Sequence, residues 1–98
     1  MEENDIMKYV IVCYSLKDKR VLKTYPVFDN FIRAFEYMEA EAKEFYKEEI
    51  DDADSDEEKE KINLIISLDG TAYPPVGHIY LPSVDGYGWT WDILTFSE

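Results

Sequence analysis

Residues 31–50, FIRAFEYMEAEAKEFYKEEI, decide the fold class because their apolar side chains recur with the period of an α-helix. One helical face of about 100° carries the apolar members, which are Phe31, Phe35, Met38, Ala42, Phe45 and Tyr46. The opposite face is charged, so we expect an amphipathic helix that packs one side against a core. Asp29 or Asn30 is the expected N-cap, and the helix should end near Ile50.

The segments around this helix have the composition of β-strands. Strands are predicted at residues 7–16, 21–28, 62–68, 78–81 and 87–96. The first strand is almost continuously apolar, which is typical of a central strand. Pro26 in the second strand indicates a sheet edge or an end of pairing. The third, INLIISL, is expected to be buried.

These elements predict one α+β domain that spans residues 1–98. The expected architecture is a small antiparallel sheet of four to five strands, in the order β-β-α-β-β-β, with the helix on one face. The strand order within the sheet is not determined by the pattern. Cys13, the single cysteine, excludes an internal disulfide, and its apolar strand predicts a buried, inert thiol.

Charge excludes several function classes. The chain has 98 residues with 22 acidic and 10 basic side chains, a formal net charge of −12. Such a charge repels nucleic-acid phosphates and anionic lipids, so direct binding to nucleic acid or to a membrane is not expected. The acidic start of the chain, residues 1–5, differs from the basic start of a signal peptide, which predicts a cytoplasmic protein.

The negative charge is concentrated in one quarter of the chain. Residues 36–60 carry thirteen acidic and three basic side chains. Several of the acids stand where the helix should end, although the negative end of a helix dipole disfavours carboxylates there. Residues 51–61 are expected to form an acidic loop or a short helical turn, since Ser55 and Glu58 have the spacing of a capping box.

The acidic region has two interpretations, a solvated surface that aids solubility or a site for a basic protein partner. In the second interpretation, aromatic side chains of the helix and of the last strand help to anchor the partner. The partner-binding residues are then predicted to be Tyr37, Glu41, Glu44, Glu48, Glu49, Asp51, Asp52, Asp54, Asp56, Glu57, Glu58, Tyr87, Trp89 and Trp91. The last three lie on one face of their strand, so they form either core or interface.

The density of the charge is close to that of a nucleic-acid strand. If residues 36–60 formed one helix, the helix would be about 37 Å long with one net charge per ~3.7 Å, against one phosphate per ~3.4 Å of DNA strand. In size, acidity and lack of catalytic motifs, the chain resembles the small anti-restriction and anti-CRISPR inhibitors of phages and mobile elements. This resemblance implies an inhibitor that engages the nucleic-acid-binding surface of a basic protein and acts as a DNA mimic.

A second hypothesis is a small structural or accessory domain that forms homo-oligomers, such as a homodimer, through the aromatic face of the last strand. A third is an enzyme that uses His78 as a base, oriented by Asp69, Asp85 or Asp92, with Ser83 as nucleophile. The chain has no nucleophile motif, so a non-enzymatic protein is expected.

No cofactor and no metal ion are expected. Asp52, Asp54 and Asp56 have the first spacings of a calcium-binding EF-hand loop, but the glycine and the final glutamate of that loop are missing.

Overall fold

The computed structural model describes residues 7–83 and 86–97, which form a five-stranded antiparallel sheet with a long helix on one face. The elements are β1 (Met7–Ser15), β2 (Arg20–Thr24), α1 (Phe31–Asp52), α2 (Asp56–Lys61), β3 (Ile65–Asp69), β4 (Val76–Leu81) and β5 (Trp89–Ser97). The strand order is β2-β1-β5-β4-β3, so β5 is central and β2 and β3 are the edges. The predicted α+β architecture is confirmed.

Helix α1 has the predicted start and the predicted buried face. The Asn30 side chain accepts a hydrogen bond from the Arg33 N–H at 3.0 Å, which caps the helix. Its buried side chains are Phe31, Ala34, Phe35, Met38 and Ala42, and Phe45 and Tyr46 pack partly buried against the same core. The helix ends at Asp52, two residues beyond the expected end. None of the helices in the described part of the chain is long and apolar enough to cross a membrane.

The core lies between α1 and one face of the sheet. Strand β1 lies between β2 and β5, and only alternate residues of it are buried. Cys13 is one of these buried residues, as predicted. From the strands and loops, the core receives Tyr9, Ile11, Cys13, Tyr25, Ile62, Ile79, Leu81, Trp91 and Ile93. The other face of the sheet is not covered by α1.

The prediction of a buried strand at residues 62–68 is wrong. Strand β3 begins only at Ile65, lies at the sheet edge, and all five of its residues are exposed. The burial in this segment comes from Ile62, the residue that ends α2, which is fully buried. The physical reason is that α1 packs on β1, β4 and β5, so its side chains cover the sheet centre rather than this edge.

Strand β2 is shorter than predicted, although it is an edge strand as Pro26 indicated. It ends at Thr24, and the chain returns to the sheet at Phe28. There, Tyr9 and Phe28 exchange two backbone hydrogen bonds of 2.8 Å as an isolated bridge. A bulge interrupts the pairing of β2 with β1 between Cys13 and Tyr14.

The acidic segment forms two helices instead of one. After α1, the backbone is extended at Ala53 and Ser55, and Ser55 caps α2 by accepting a hydrogen bond from the Glu58 N–H at 3.2 Å. The Glu58 carboxylate in turn accepts one from the Asp54 N–H at 2.7 Å. Within residues 51–61, the short helix α2 therefore occupies residues 56–61. The uniform charge spacing of a single long helix does not extend across this break.

Candidate partner-binding surface

The carboxylates of residues 36–60, here called the acidic surface, are mostly open to solvent. Four of the thirteen are half-buried, namely Glu39, Glu41, Glu49 and Glu58. The nine exposed ones are Glu36, Glu44, Glu48, Asp51, Asp52, Asp54, Asp56, Glu57 and Glu60. A partner protein can therefore reach most of the predicted acidic residues.

The first part of the acidic surface is partly neutralised by nearby lysines. Glu39 and Glu44 lie 3.9 and 4.0 Å from the next lysines along α1, and Glu41 lies 3.8 Å from Lys23 of β2. Exposed pairs of this kind contribute about 0–1 kcal/mol each. They reduce the local excess of negative charge, so the part of the acidic surface around Glu41 and Glu44 is less acidic than its carboxylates alone indicate.

Tyr37 has a structural contact in addition to its exposed surface. Its ring packs edge-on against Tyr25 at 5.6 Å and tilted against Phe28 at 5.4 Å. Lys23 lies over the Tyr25 ring at 4.9 Å and beside Glu41. These contacts connect α1 to β2 and to the segment that follows it. Tyr37 and Glu41 therefore stabilise the fold and also have surface exposed to solvent.

The other end of α1 lies at a depression of ≈ 400 Å³, which we call the α1-end depression. Its lining residues are Ser15, Lys17, Asp18, Glu49, Asp52, Ser83, Gly88 and Trp89. Three carboxylates and one ammonium group therefore lie around one indole ring. Two of the predicted acidic residues and one predicted aromatic residue, far apart in sequence, come together here.

Local backbone geometry forms this depression. The Leu16 N–H donates to the Gly88 carbonyl at 3.0 Å, which ties the end of β1 to the chain that enters β5. Gly88 has φ +101°, and a Cβ there would lie 2.0 Å from the Leu81 carbonyl oxygen. Only glycine fits this position, because an added Cβ would meet backbone atoms. The turn between β1 and β2 then places Lys17 and Asp18 opposite the end of α1.

The three aromatic residues of the last strand have different environments. Trp91 is fully buried, with its ring 5.1 Å from that of Phe45, so it is a core residue that a partner cannot reach. Trp89 is half-buried, packs 5.5 Å from Phe45, and borders the α1-end depression. Tyr87 is 50% exposed. Because α1 packs on this strand face, Trp91 belongs to the core, whereas Trp89 and Tyr87 keep surface that is open to solvent.

His78 and Asp92 form a close pair on the uncovered face of the sheet. Their Nδ1 and Oδ1 atoms are 2.6 Å apart, and the residues are direct cross-strand neighbours on β4 and β5. Polar side chains that pair across neighbouring strands stabilise a sheet, so this contact has a structural role. Ser83, the predicted nucleophile, borders the α1-end depression, whereas His78 borders a separate groove.

The other predicted orienting acids are not placed beside His78. Asp69 belongs to a turn, where it accepts hydrogen bonds from the Thr71 hydroxyl, the Thr71 N–H and the Ala72 N–H at 2.7, 2.9 and 3.1 Å. These bonds, led by those from Thr71, lower the pKa of the Asp69 carboxyl. Asp85 lies outside the described residues.

Sequence analysis missed the character of the uncovered sheet face. A groove of ≈ 500 Å³ runs there, and its lining includes Val12, Tyr14, Val76 and Leu94. The signal in the sequence was the unbroken apolar run of β1, which places Tyr9 and Ile11 on the core face and Val10, Val12 and Tyr14 on the uncovered face.

Residues 7–83 and 86–97 contain no group of three or more His, Cys, Asp or Glu side chains arranged to hold a metal ion. Comparisons of the chain with protein-family models, with curated proteins and with solved structures gave no match.

Proposed function

We propose that this protein is a non-enzymatic protein-binding module whose acidic surface engages a basic surface of a partner protein. One observation carries the proposal, namely that Glu49 and Asp52 lie with Asp18 and Trp89 around the α1-end depression. Interfaces commonly depend on a few buried aromatic and charged side chains, and this depression offers both types together.

The depression has the chemistry to receive an arginine or lysine side chain. Carboxylates pair with a guanidinium group through charge-assisted hydrogen bonds, and an indole ring attracts the same group through its π face. Lys17 supplies one positive charge to the depression from within the protein. A cation from the partner has to compete with Lys17, which favours arginine because its planar group can bind two carboxylates at once.

The exposed carboxylates outside the depression serve to attract the partner. A surface of one sign accelerates association with a surface of the opposite sign, mainly through the rate of encounter. Basic surfaces of this kind occur on nucleic-acid-binding proteins, so the module is an inhibitor if it covers such a surface. The resemblance in size and acidity to phage and mobile-element inhibitors supports this form of the proposal. Pairing of individual carboxylates with arginines is sufficient for it, and no continuous imitation of a DNA strand is needed.

A binding experiment with a nona-arginine peptide tests the proposal. The peptide is titrated into the protein at low salt, by calorimetry and by tryptophan fluorescence. The double variant Glu49→Gln, Asp52→Asn should bind about tenfold more weakly, since one charge-assisted contact is worth about 1.4 kcal/mol or more. The matched control, Glu36→Gln with Glu60→Gln, changes the net charge equally at exposed positions that do not line the depression.

The affinity of the control variant should fall less than about threefold, because this variant changes only the overall charge of the protein. Equal weakening of the two double variants would show that the peptide responds to net charge alone, which would contradict the assigned site. Fluorescence adds a second readout, because Trp89 borders the depression and Trp91 is buried. The Trp89→Phe variant should lose the peptide-dependent change in emission.

A further inference from the structure

The two edges of the sheet differ in how they are protected from pairing with another strand. Both edge strands are five residues long. Strand β2 carries Arg20 and Lys23 and has a bulge in its pairing with β1, and charges and bulges are the usual protections of an edge. Strand β3 has no charged residue before Asp69, and its pairing with β4 is regular.

The side chains of β3 are apolar and exposed on both faces of the sheet. Ile65, Ile66 and Leu68 are 51%, 42% and 52% exposed. Ile66 pairs with Ile79 and so points to the helix side, whereas Ile65 pairs with Tyr80 and points to the other side. Within the described ranges, β3 is bonded to β4 alone, so the backbone groups on its outer side have no strand partner.

We propose that β3 forms an antiparallel pair with β3 of a second copy of this chain, which joins the two sheets into one of ten strands. This proposal does not depend on the proposed function, since β3 is not part of the acidic surface. Pairing would place backbone donors and acceptors opposite each other and would cover the exposed isoleucine and leucine side chains.

Charge favours a second copy as the occupant. Residues 62–68 are uncharged, and the nearest charged residues on either side are Lys61 and Asp69. Antiparallel pairing places Asp69 of one copy opposite the uncharged Ile65 of the other, whereas parallel pairing would place Asp69 against its own copy. A basic partner, which the acidic surface would attract, finds only one opposite charge on β3, the Asp69 carboxylate at the end of the strand.

The same arrangement keeps the two α1 helices apart, and these carry most carboxylates of the acidic surface. Helix α1 packs on β1, β5 and β4, and five strand spacings separate β5 of one copy from β5 of the other. At ~4.8 Å per spacing the two central strands are about 24 Å apart, well beyond the Debye length of ~8 Å at physiological ionic strength. Repulsion between the carboxylates on the two α1 helices is therefore largely screened in this dimer.

The strand length specifies the register. All five residues of β3 overlap with their copies only when the two-fold axis passes beside Ser67. Ser67 then lies opposite its own copy, and Ile66 lies opposite Leu68 of the second copy. This register pairs apolar with apolar side chains on the helix side of the sheet, where cross-strand pairs contribute most through mutual burial.

Oligomeric state tests the interface. The wild-type chain has a mass of 11.5 kDa. Sedimentation equilibrium should show a dimer that dissociates when the protein is diluted from about 1 mM to about 1 μM. Dissociation constants in this range are typical of a small interface. The double variant Ile66→Lys, Leu68→Lys should weaken the dimer at least tenfold, because lysines on an edge strand oppose pairing. The matched control, Val21→Lys with Leu22→Lys, makes the same change at exposed positions of β2 and should leave the dimer intact.

The lysines lower the net negative charge of both variants equally, so a general electrostatic effect would act on both. Circular dichroism and thermal unfolding should show that both variants fold. A wild-type chain that stays monomeric at about 1 mM, or equal weakening by the two double variants, would overturn the proposal.

A cross-link tests the register directly. Opposite residues of an antiparallel pair have Cα atoms ~4.5–5.5 Å apart, within the range of a disulfide. The Ser67→Cys variant should form a disulfide-linked dimer under mild oxidation, and Cys13 does not compete because it is buried. Thr24→Cys on β2 is the control and should form no disulfide-linked dimer, since its cysteine lies on the edge of the sheet that the proposed dimer does not use. A dimeric wild type with no cross-link in Ser67→Cys, or with cross-linking of both variants, would contradict the assigned pairing.

Discussion

At the scale of single residues, Cys13 illustrates how the core alters an ordinary side chain. The thiol is fully buried in β1, and burial raises its pKa from 9.0 to about 11, with the Glu41 carboxylate adding to the rise and Lys23 opposing it. The folded protein therefore holds the thiol proton more tightly than the unfolded chain. Its contribution to stability is complete below pH 9 and is lost as the pH rises from 9 to 11.

We predict that the free energy of unfolding falls by about 2 kcal/mol between pH 9 and pH 11 because of Cys13, on the basis of 1.36 kcal/mol per pKa unit. Urea unfolding of the wild type and of Cys13→Ala at several pH values measures this effect. The variant lacks the thiol, so the difference in stability between the two proteins should shrink as the pH rises. A difference that is constant across this range would contradict the assigned cause.

A second core residue, Tyr25, contributes in an overlapping pH range in both proteins. Burial raises the pKa of Tyr25 from 10.0 to about 12, although the neighbouring Trp91 indole works against this rise. Stability linked to Tyr25 is therefore lost between pH 10 and pH 12. The comparison of wild type with Cys13→Ala cancels most of this loss, because both proteins retain the tyrosine and burial, the largest cause of its shift; the charge of Cys13 is a smaller cause.

At the scale of elements, the two helices of the acidic segment place carboxylates at opposite dipole ends. The last turn of α1 contains Asp51 and no basic residue, whereas the first turn of α2 contains Asp56. A helix dipole disfavours negative charge at the C-terminal end and favours it at the N-terminal end. The same chemical group is therefore costly in one helix and stabilising in the next.

The substitution Asp51→Lys should raise the free energy of unfolding by about 0.3–1 kcal/mol, and Asp56→Lys should lower it by a similar amount. Both residues are exposed, and both substitutions change the net charge equally, so each variant is the control of the other. Urea unfolding at low salt measures the two effects. Shifts of the same sign and size would mean that total charge, and not position on the helix, determines the effect.

At the scale of the whole molecule, the uneven charge predicts opposite salt effects on the two proposed interactions. Binding of a basic peptide to the acidic surface depends on attraction, so its affinity should fall when NaCl rises from about 50 to about 500 mM. The β3 dimer joins two negative molecules through uncharged strands, so its affinity should stay constant or rise over the same range. The unfolding temperature of the monomer should also rise, because salt screens repulsion within residues 36–60.

Calorimetric titration of nona-arginine and sedimentation equilibrium, each at several NaCl concentrations, measure the two affinities. A dimer that dissociates as salt increases would indicate that ion pairs hold it together, in contradiction to an uncharged β3 interface. A peptide affinity that does not change with salt would likewise contradict binding through carboxylates.

The features that depend on neighbouring residues were predictable from the sequence. The period of the apolar residues predicted the buried face of α1, and the side chains of Asn30 and Ser55 predicted the starts of both helices. Each of these depends on contacts within about one helical turn. The position of the acidic region and its exposure were predictable for the same reason, because charged side chains remain in solvent wherever the chain permits.

The features that depend on contacts between distant residues were not predictable from the sequence. Residues 65–68 have the composition of a buried strand, yet they lie at an edge that α1 does not cover. Alternation placed Tyr87, Trp89 and Trp91 on one face of the last strand, but only the packing of α1 determined that this face is the core. A strand has the same backbone donors and acceptors whichever strand pairs with it, so strand order is not a local property.

By itself, the sequence determined an α+β fold, one long amphipathic helix, and the location of the negative charge. The tertiary structure alone decided that β5 is central and β3 is an edge, and that Glu49, Asp52 and Trp89 meet beside Lys17. The physical reason is that helix patterning arises from neighbours in sequence, whereas sheet order and the α1-end depression arise from burial among segments that are far apart in the chain.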